Sequence, residues 1–228
     1  MARGSSLVIV LEGFYTVVFS AIILAQNNSI AAREERVESA FKSYSDMKEK
    51  IYDDLSAEFS QDMGRWNATL DKNDLSIKFF MDESAPRVMF KPGNGRQTEY
   101  YDELIADFCP RYYRVIRPIV ESSLVTAITV EGHTSSEWRS GASESESYYA
   151  NLSLSQERAK NVMVTCLKSI EEVDPVKFVP FRKKITANGA AFSKVITDGS
   201  GQERAGASRR VEFKIVTSFD DNIEKVSK

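Results

Sequence analysis

Histidine is nearly missing from this chain: His133 stands alone among 228 residues, and cysteine occurs only as Cys109 and Cys166. Neither cysteine has a C-x-x-C companion, and one imidazole at that spacing cannot complete a tetrahedral zinc site with them, so no metal site is expected. No serine or cysteine nucleophile stands in an activated context near His133, and no paired carboxylates flank it. That leaves a structural histidine at a strand end rather than a catalytic one. A phosphate cradle is absent as well, because Gly199, Gly201 and Gly206 precede the last strand without the lysine or helix start that such a motif needs. Charge of one sign is also lacking: 30 basic residues are scattered among 33 acidic ones, for a net charge of -3. A nucleic-acid partner would need a basic stripe, so none is expected. The chain is therefore read as neither an enzyme nor a cofactor carrier, and no internal repeat complicates it. Both cysteines fall in predicted helices, where they read either as two buried small apolar residues or as a disulfide in an oxidising compartment.

What is present begins with an apolar run. Residues 7–25 carry a single charge, and at about 1.5 Å per residue they reach ~28 Å, the thickness of a bilayer's hydrocarbon core. One transmembrane helix is expected there. A signal peptide would find its short basic region in Arg3 and a small residue for cleavage in Ala25, but the run is long for one and carries Glu12. An ionised carboxylate in mid-membrane costs about 3 kcal/mol, so such a group normally faces a protein interior, a pore or a proton path. The alternative is a glutamate near the membrane end that snorkels to the headgroups.

From residue 30 to 59 the chain is highly charged but regular, with Ile30, Val37, Tyr44 and Ile51 at intervals of seven and Phe41 and Leu55 in the alternate seam. This pattern predicts a long helix pairing with a second copy, or an amphipathic helix lying on its own domain. Residues 67–74 are polar and end it. A first strand is expected over residues 75–81, and a short strand or turn over 87–95 leads into a helix over 98–117 that Pro118 interrupts or ends. The helix face of Tyr101, Leu104, Ile105, Phe108, Tyr112, Val115 and Ile116 reads as core. A strand over 127–130, a helix over 153–170, and strands over 184–190 and 209–217 complete a β-α-β-α-β-β order with helices on one side of a mixed sheet.

Residues 127–159 organise the rest. An alternating strand runs into Gly132, His133 and Thr134, a Ser/Glu/Gly loop follows, and a helix opens around Asn151, Leu154, Ser155, Arg158 and Ala159. The pairing of G-H-T with N-x-x-L-S-x-x-R-A resembles the OmpA-like peptidoglycan-binding domain. Residues 208–212, Ser-Arg-Arg-Val-Glu, resemble the segment with which that family enters its last strand. The fold class implied is α+β, an OmpA-like domain preceded by a transmembrane helix and a helical stalk. The layout is 1–28 for the membrane helix, 29–66 for the stalk, 67–218 for the domain and 219–228 for a polar tail. A single membrane helix with an early carboxylate and such a domain behind it resembles the B subunits of ion-driven rotary motors, the MotB/ZorB type, with the phage-defence branch favoured over the flagellar one. In those families the proton carrier is an aspartate, and here Glu12 holds the matching position.

The resemblance implies peptidoglycan as ligand, a polytopic MotA/ZorA-type membrane subunit as partner, a homodimer, and no cofactor. It also implies a single pass through the bacterial inner membrane, with the N-terminus cytoplasmic and the C-terminal domain periplasmic. The competing class is a passive OmpA-like envelope anchor or secretion component that uses no ion. By resemblance, Thr134, Asn151, Leu154, Arg158 and Arg209 occupy ligand-contacting positions and Arg210 makes internal ion pairs. A binder of stem peptides needs a guanidinium for carboxylates, an acid for an ammonium, and backbone N–H groups at a helix start. Arg158 is expected one turn into its helix, and Asn151 at its cap or on ligand. Where the family carries an aspartate after G-H-T, this chain has Ser135. Glu137, Glu144 or Glu146 in the lengthened loop could supply that charge, or the loop is simply solvated.

Overall fold

The computed structural model describes residues 4–81, 88–122, 124–138 and 140–218, with side chains of the first helix described for Phe19 and from Ile22 onward. Two compact units are present, Met1–Met47 and Lys48–Lys228. The first consists of the larger part of α1 (Gly4–Phe59), on which Phe19, Leu24, Ile30, Val37 and Phe41 are exposed. Among the described residues no helix is long and apolar enough to cross a membrane. Most of the expected span at 7–25, including Glu12, lies outside the residues whose side chains are described.

The second unit begins inside the stretch expected to be stalk. The end of α1 presents Ile51, Leu55 and Phe59 at intervals of four, and all three are buried. The Phe59 ring meets Phe108 at 5.1 Å and Trp66 at 5.9 Å. Arg111 closes over the joint, donating from Nε to Glu58 Oε1 at 2.6 Å and from Nη2 to Asp62 Oδ2 at 2.8 Å. Ile51 and Leu55, expected as seam positions, therefore belong to the core of this unit. Here the reading of an amphipathic helix lying on its own domain holds.

The sheet has five strands, β1 (Ala68–Asp71), β2 (Ser76–Phe80), β3 (Val125–His133), β4 (Ile185–Gly189) and β5 (Arg210–Thr217), in the order β1-β2-β5-β3-β4. Only β3 and β4 run parallel, and the crossover between them contains α3 (Glu144–Val173). The α+β class with a mixed sheet is thus as expected. Alternation sets the faces: Val211, Phe213 and Ile215 of β5 point into the core, while Arg210, Glu212 and Lys214 take the other side. Phe213 meets Phe108 of α2 (Glu99–Glu121) at 5.0 Å and Phe79 of β2 at 6.1 Å. Two short helices, α4 (Phe178–Arg182) and α5 (Ala205–Ser208), flank β4 and β5.

Four boundaries differ from the expectation, each for a physical reason. The strand β1 was expected as polar loop, because four residues beside an Asp/Lys/Asn turn carry no readable period; pairing with β2 makes it a strand. The strand β3 continues to His133, so the glycine of G-H-T is a ladder residue. Pro118 does not end α2; burial of Ile116 and Val120 on its inner face offsets the roughly 3 kcal/mol that an interior proline costs. The helix α3 starts at Glu144, where Ser143 and Glu146 form a reciprocal capping box.

Of the two readings open for the cysteines, the disulfide is present: Cys109 on α2 and Cys166 on α3 are bonded, with Cα atoms 5.3 Å apart. The helix α3 also lies very close to the sheet. A Cβ on Gly132 would come within 2.3 Å of the Ser155 carbonyl oxygen, and one on Gly189 within 2.4 Å of the Gln156 nitrogen. Only glycine permits that approach.

Candidate functional site

At the end of β3 a cavity of about 220 Å³ is lined by Thr134, Asn151, Leu154, Arg158 and Arg209 together, so the fold gathers all five residues singled out in the sequence. The close packing of α3 on Gly132 and Gly189 brings one helix face to the strand end. Asn151, Leu154 and Arg158 are spaced by three and four on that face.

Thr134 is fixed by its backbone N–H, which donates to the Ala191 carbonyl at 2.9 Å, and its side chain is 3% exposed. Among the described residues its Oγ1 has no hydrogen-bond partner, and neither does Nδ2 of Asn151, which is 2% exposed. An unsatisfied buried polar group costs about 1–3 kcal/mol, so these two atoms, on residues that line one cavity, leave hydrogen-bonding capacity beside it unused.

Arg158 is buried at the cavity wall. Its Nε donates to the Asn94 carbonyl at 3.1 Å, its Nη1 lies 3.6 Å from Met81 Sδ, and its guanidinium stacks 4.9 Å above the Phe90 ring. The turn that it grips carries Pro92 and Gly93, two wall residues that sequence reasoning left as a simple turn. Gly93 sits at φ +66, which only glycine adopts readily, and Asn161 Nδ2 holds the same turn through the Gly95 carbonyl at 2.9 Å. The proline-glycine pair was the signal for the turn; nothing in the sequence placed it at the site.

Arg209, one residue before β5, donates from Nη1 to Glu137 Oε2 at 2.7 Å and to Ser135 Oγ at 3.1 Å. Glu137 and Trp138 both line the cavity. Of the three acids considered for the lost aspartate, Glu137 is therefore the one at the site. Glu146 instead accepts from the Ser143 backbone and hydroxyl at 2.8 Å, which holds its carboxyl below the usual range, and Glu144 stands in the same first turn.

Because α3 opens at Glu144, Arg158 lies about four turns into the helix and Asn151 about two, so Arg158 is not in the first turn and Asn151 is not a cap. Among the described residues that line the cavity, none belongs to the first turn of α3. The Ser143-x-x-Glu146 capping box was the signal that could have located the true start.

His133 faces away from the cavity, with Nε2 3.1 Å from Glu131 Oε1 and 3.6 Å from Glu212 Oε1. The imidazole, and Lys194 Nζ at 2.7 Å, hold the Glu131 carboxyl down at about 2. As expected, Arg210 makes internal pairs, with Nε 2.5 Å from Glu212 Oε1.

No family model matches the chain. A solved MotB-like protein from Desulfovibrio vulgaris is similar over 78% of this chain and 95% of its own, with 17% identity and a TM-score of 0.50. The cell wall anchor of the type VI secretion system from Pseudomonas aeruginosa is similar over 72% of this chain and 97% of its own, with 17% identity and a TM-score of 0.46. The likeness to the Desulfovibrio vulgaris protein is one of fold, an α+β domain with a mixed sheet. The particular family follows from sequence: the Zorya protein ZorB of Escherichia coli is 30% identical over 211 residues, 92% of this chain and 86% of that protein. The chain belongs to the ZorB family.

Proposed function

We infer that the chain is a membrane-anchored, peptidoglycan-binding subunit of a proton-driven motor complex. The observation that carries the wall-binding half is the cavity itself, whose lining brings Arg158 and Arg209 together with Thr134 and Asn151, each of which has a buried polar atom without a partner among the described residues. A stem peptide offers carboxylates to the two arginines, an amide or carboxylate oxygen to Asn151, a donor to Thr134, and apolar contact to Leu154. Its diamino acid brings an ammonium and a carboxylate side by side. The Arg209 and Glu137 pair, one positive and one negative end 2.7 Å apart, suits that zwitterion. Glu137 thereby takes the role that the family gives to the residue at Ser135.

The test is co-sedimentation of the purified full chain with intact cell-wall sacculi at low salt. Wild type pellets with the wall, whereas Arg158→Ala and Arg209→Ala stay in the supernatant while retaining wild-type circular dichroism. Wild-type protein left in the supernatant would remove the wall-binding reading.

The motor half rests on membership of the ZorB family and on Glu12. In this reading residues 1–28 form a single inner-membrane span with a cytoplasmic N-terminus, 29–47 lead into the periplasm, and the unit from Lys48 onward binds the wall. The disulfide supports an oxidising compartment for the domain. The exposed apolar side chains Ile30, Val37 and Phe41 support pairing with a second copy. A polytopic membrane subunit would complete the path along which Glu12 takes up and releases a proton, and the subunit itself catalyses no covalent step. Glu12→Gln keeps the shape of the protonated form but cannot release a proton. It should leave insertion and assembly intact while abolishing biological activity, with Glu12→Asp retaining part of it. Wild-type activity of Glu12→Gln at equal protein level would favour the passive envelope anchor.

A further inference from the structure

The segment between β3 and α3, the first turns of α3 and the residues after β4 together carry aromatic rings that solvent reaches. Trp138, at the cavity, is 37% exposed; Tyr148 is 37% exposed and Tyr149 67%. The Tyr148 ring stands edge-on to Phe192 at 5.4 Å and meets Tyr149 at 6.0 Å. Ala191, the neighbour of Phe192, accepts from the N–H of the cavity residue Thr134 at 2.9 Å and donates to Ser155 Oγ at 3.0 Å. Tyr148 lies one helical turn before Asn151, on the same face of α3. The segment bearing Trp138 is tied down as well, since the Ser136 N–H donates to Glu203 Oε1 at 3.1 Å and Glu137 pairs with Arg209.

Large rings left in water cost the hydrophobic gain of burying them, and Trp138 at the cavity with a ring cluster built on Tyr148, one helical turn from Asn151, marks a surface that something covers. The cavity beside them narrows the choice of occupant. A hexopyranose ring has one face of C–H bonds that lies flat on an aromatic ring, and a rim of hydroxyls that reaches tyrosine hydroxyls. Spacing agrees with this. The third residue of an extended stem lies at most ~10 Å from the sugar that bears it. One turn of α3, about 5.4 Å, plus the reach of a tyrosine side chain spans a similar distance from Asn151 to the Tyr148 ring.

We propose that Trp138, Tyr148, Tyr149 and Phe192 form a platform that stacks against the sugar rings of the glycan strand whose stem peptide enters the cavity. The proposal rests on the cavity reading above and adds a second contact, to carbohydrate. It assigns a purpose to the lengthened segment before Asn151, which carries Trp138, Tyr148 and Tyr149.

The experiment is isothermal titration of the full chain in a detergent without a sugar headgroup. Three ligands are compared: a free stem tripeptide ending in a diamino acid, the same peptide on its disaccharide, and the stemless disaccharide. Wild type binds the disaccharide form about tenfold more tightly, the order expected of two aromatic contacts. The double variant Tyr148→Ser/Tyr149→Ser loses that preference and binds the free peptide as wild type does. A preference that survives in the double variant, or wild type binding both ligands equally, overturns the platform and leaves the cavity reading standing. Binding of the stemless disaccharide that the double variant loses, with no binding of the free peptide, keeps the platform and overturns the cavity reading. Binding of none of these ligands overturns both.

Discussion

Removing the disulfide provides the most quantitative test of how the domain is held together. The bond between Cys109 and Cys166 closes a loop with a sequence separation of 57. In the chain-entropy account such a loop removes about 14 cal/mol/K from the unfolded ensemble, which is roughly 4 kcal/mol at 25 °C. Both half-cystines are buried between α2 and α3, so Cys109→Ala/Cys166→Ala also leaves a small void, and the total loss should not fall below that estimate. For a unit of this size each kcal/mol lowers the melting temperature by about 2–4 °C, so a drop of roughly 10 °C is expected. The assay is guanidinium unfolding of oxidised, reduced and double-alanine protein, followed by tryptophan fluorescence from Trp66 and Trp138. A difference below about 1 kcal/mol between oxidised and double-alanine protein would refute the reasoning, since the bond would then constrain nothing that packing does not already fix. The bond also bears on the site: α2 follows the turn that Arg158 grips and α3 carries Asn151, Leu154 and Arg158, so the double variant should bind wall material more weakly even where it remains folded.

Further outcomes follow from individual contacts. The Glu131 carboxyl is depressed from the ordinary 4.5 to about 2, so its contribution is fully present above pH 4.5 and is lost as pH falls toward 2. At about 1.36 kcal/mol per pH unit that contribution is about 3 kcal/mol; Glu131→Gln should flatten the acid limb of a stability-against-pH curve, and an unchanged limb would contradict the assignment. Gly132→Ala drives a Cβ to within 2.3 Å of the Ser155 carbonyl oxygen and should cost about 1–3 kcal/mol in denaturant unfolding while weakening wall binding. Val37→Asp with Phe41→Asp, both exposed on α1, should shift a dimer to monomer in light scattering with no loss of domain stability. Ile51→Asp, by contrast, should unfold the domain, because that side chain is 1% exposed.

What the sequence determined by itself was whatever repeats on a short period or is spelled by a local motif. The face of α2 from Tyr101 to Ile116 was legible because its apolar residues recur at helical spacing, and all of those named except the half-buried Val115 are buried on one side. The five cavity residues were legible through G-H-T, N-x-x-L-S-x-x-R-A and the arginine pair before β5. Those motifs set a strand end, one helix face and a strand start, which a parallel crossover packed on glycine brings to one place. The tertiary structure alone decided the rest, where distant parts of the chain compete for the same residues. The heptad of α1 looked continuous through Ile51, yet its end is captured by Phe108 and Trp66, because the core of the unit needs an apolar edge that only those residues supply. The strand β1 exists because β2 offers it a ladder. The pairing of Cys109 with Cys166 depends on two helices lying side by side on the sheet. Glu137 became the acid at the site only because Arg209, far along the chain, reaches the same loop. Local order follows from propensity and period, but the charge partner, the disulfide and the covered edge follow from proximity that folding creates.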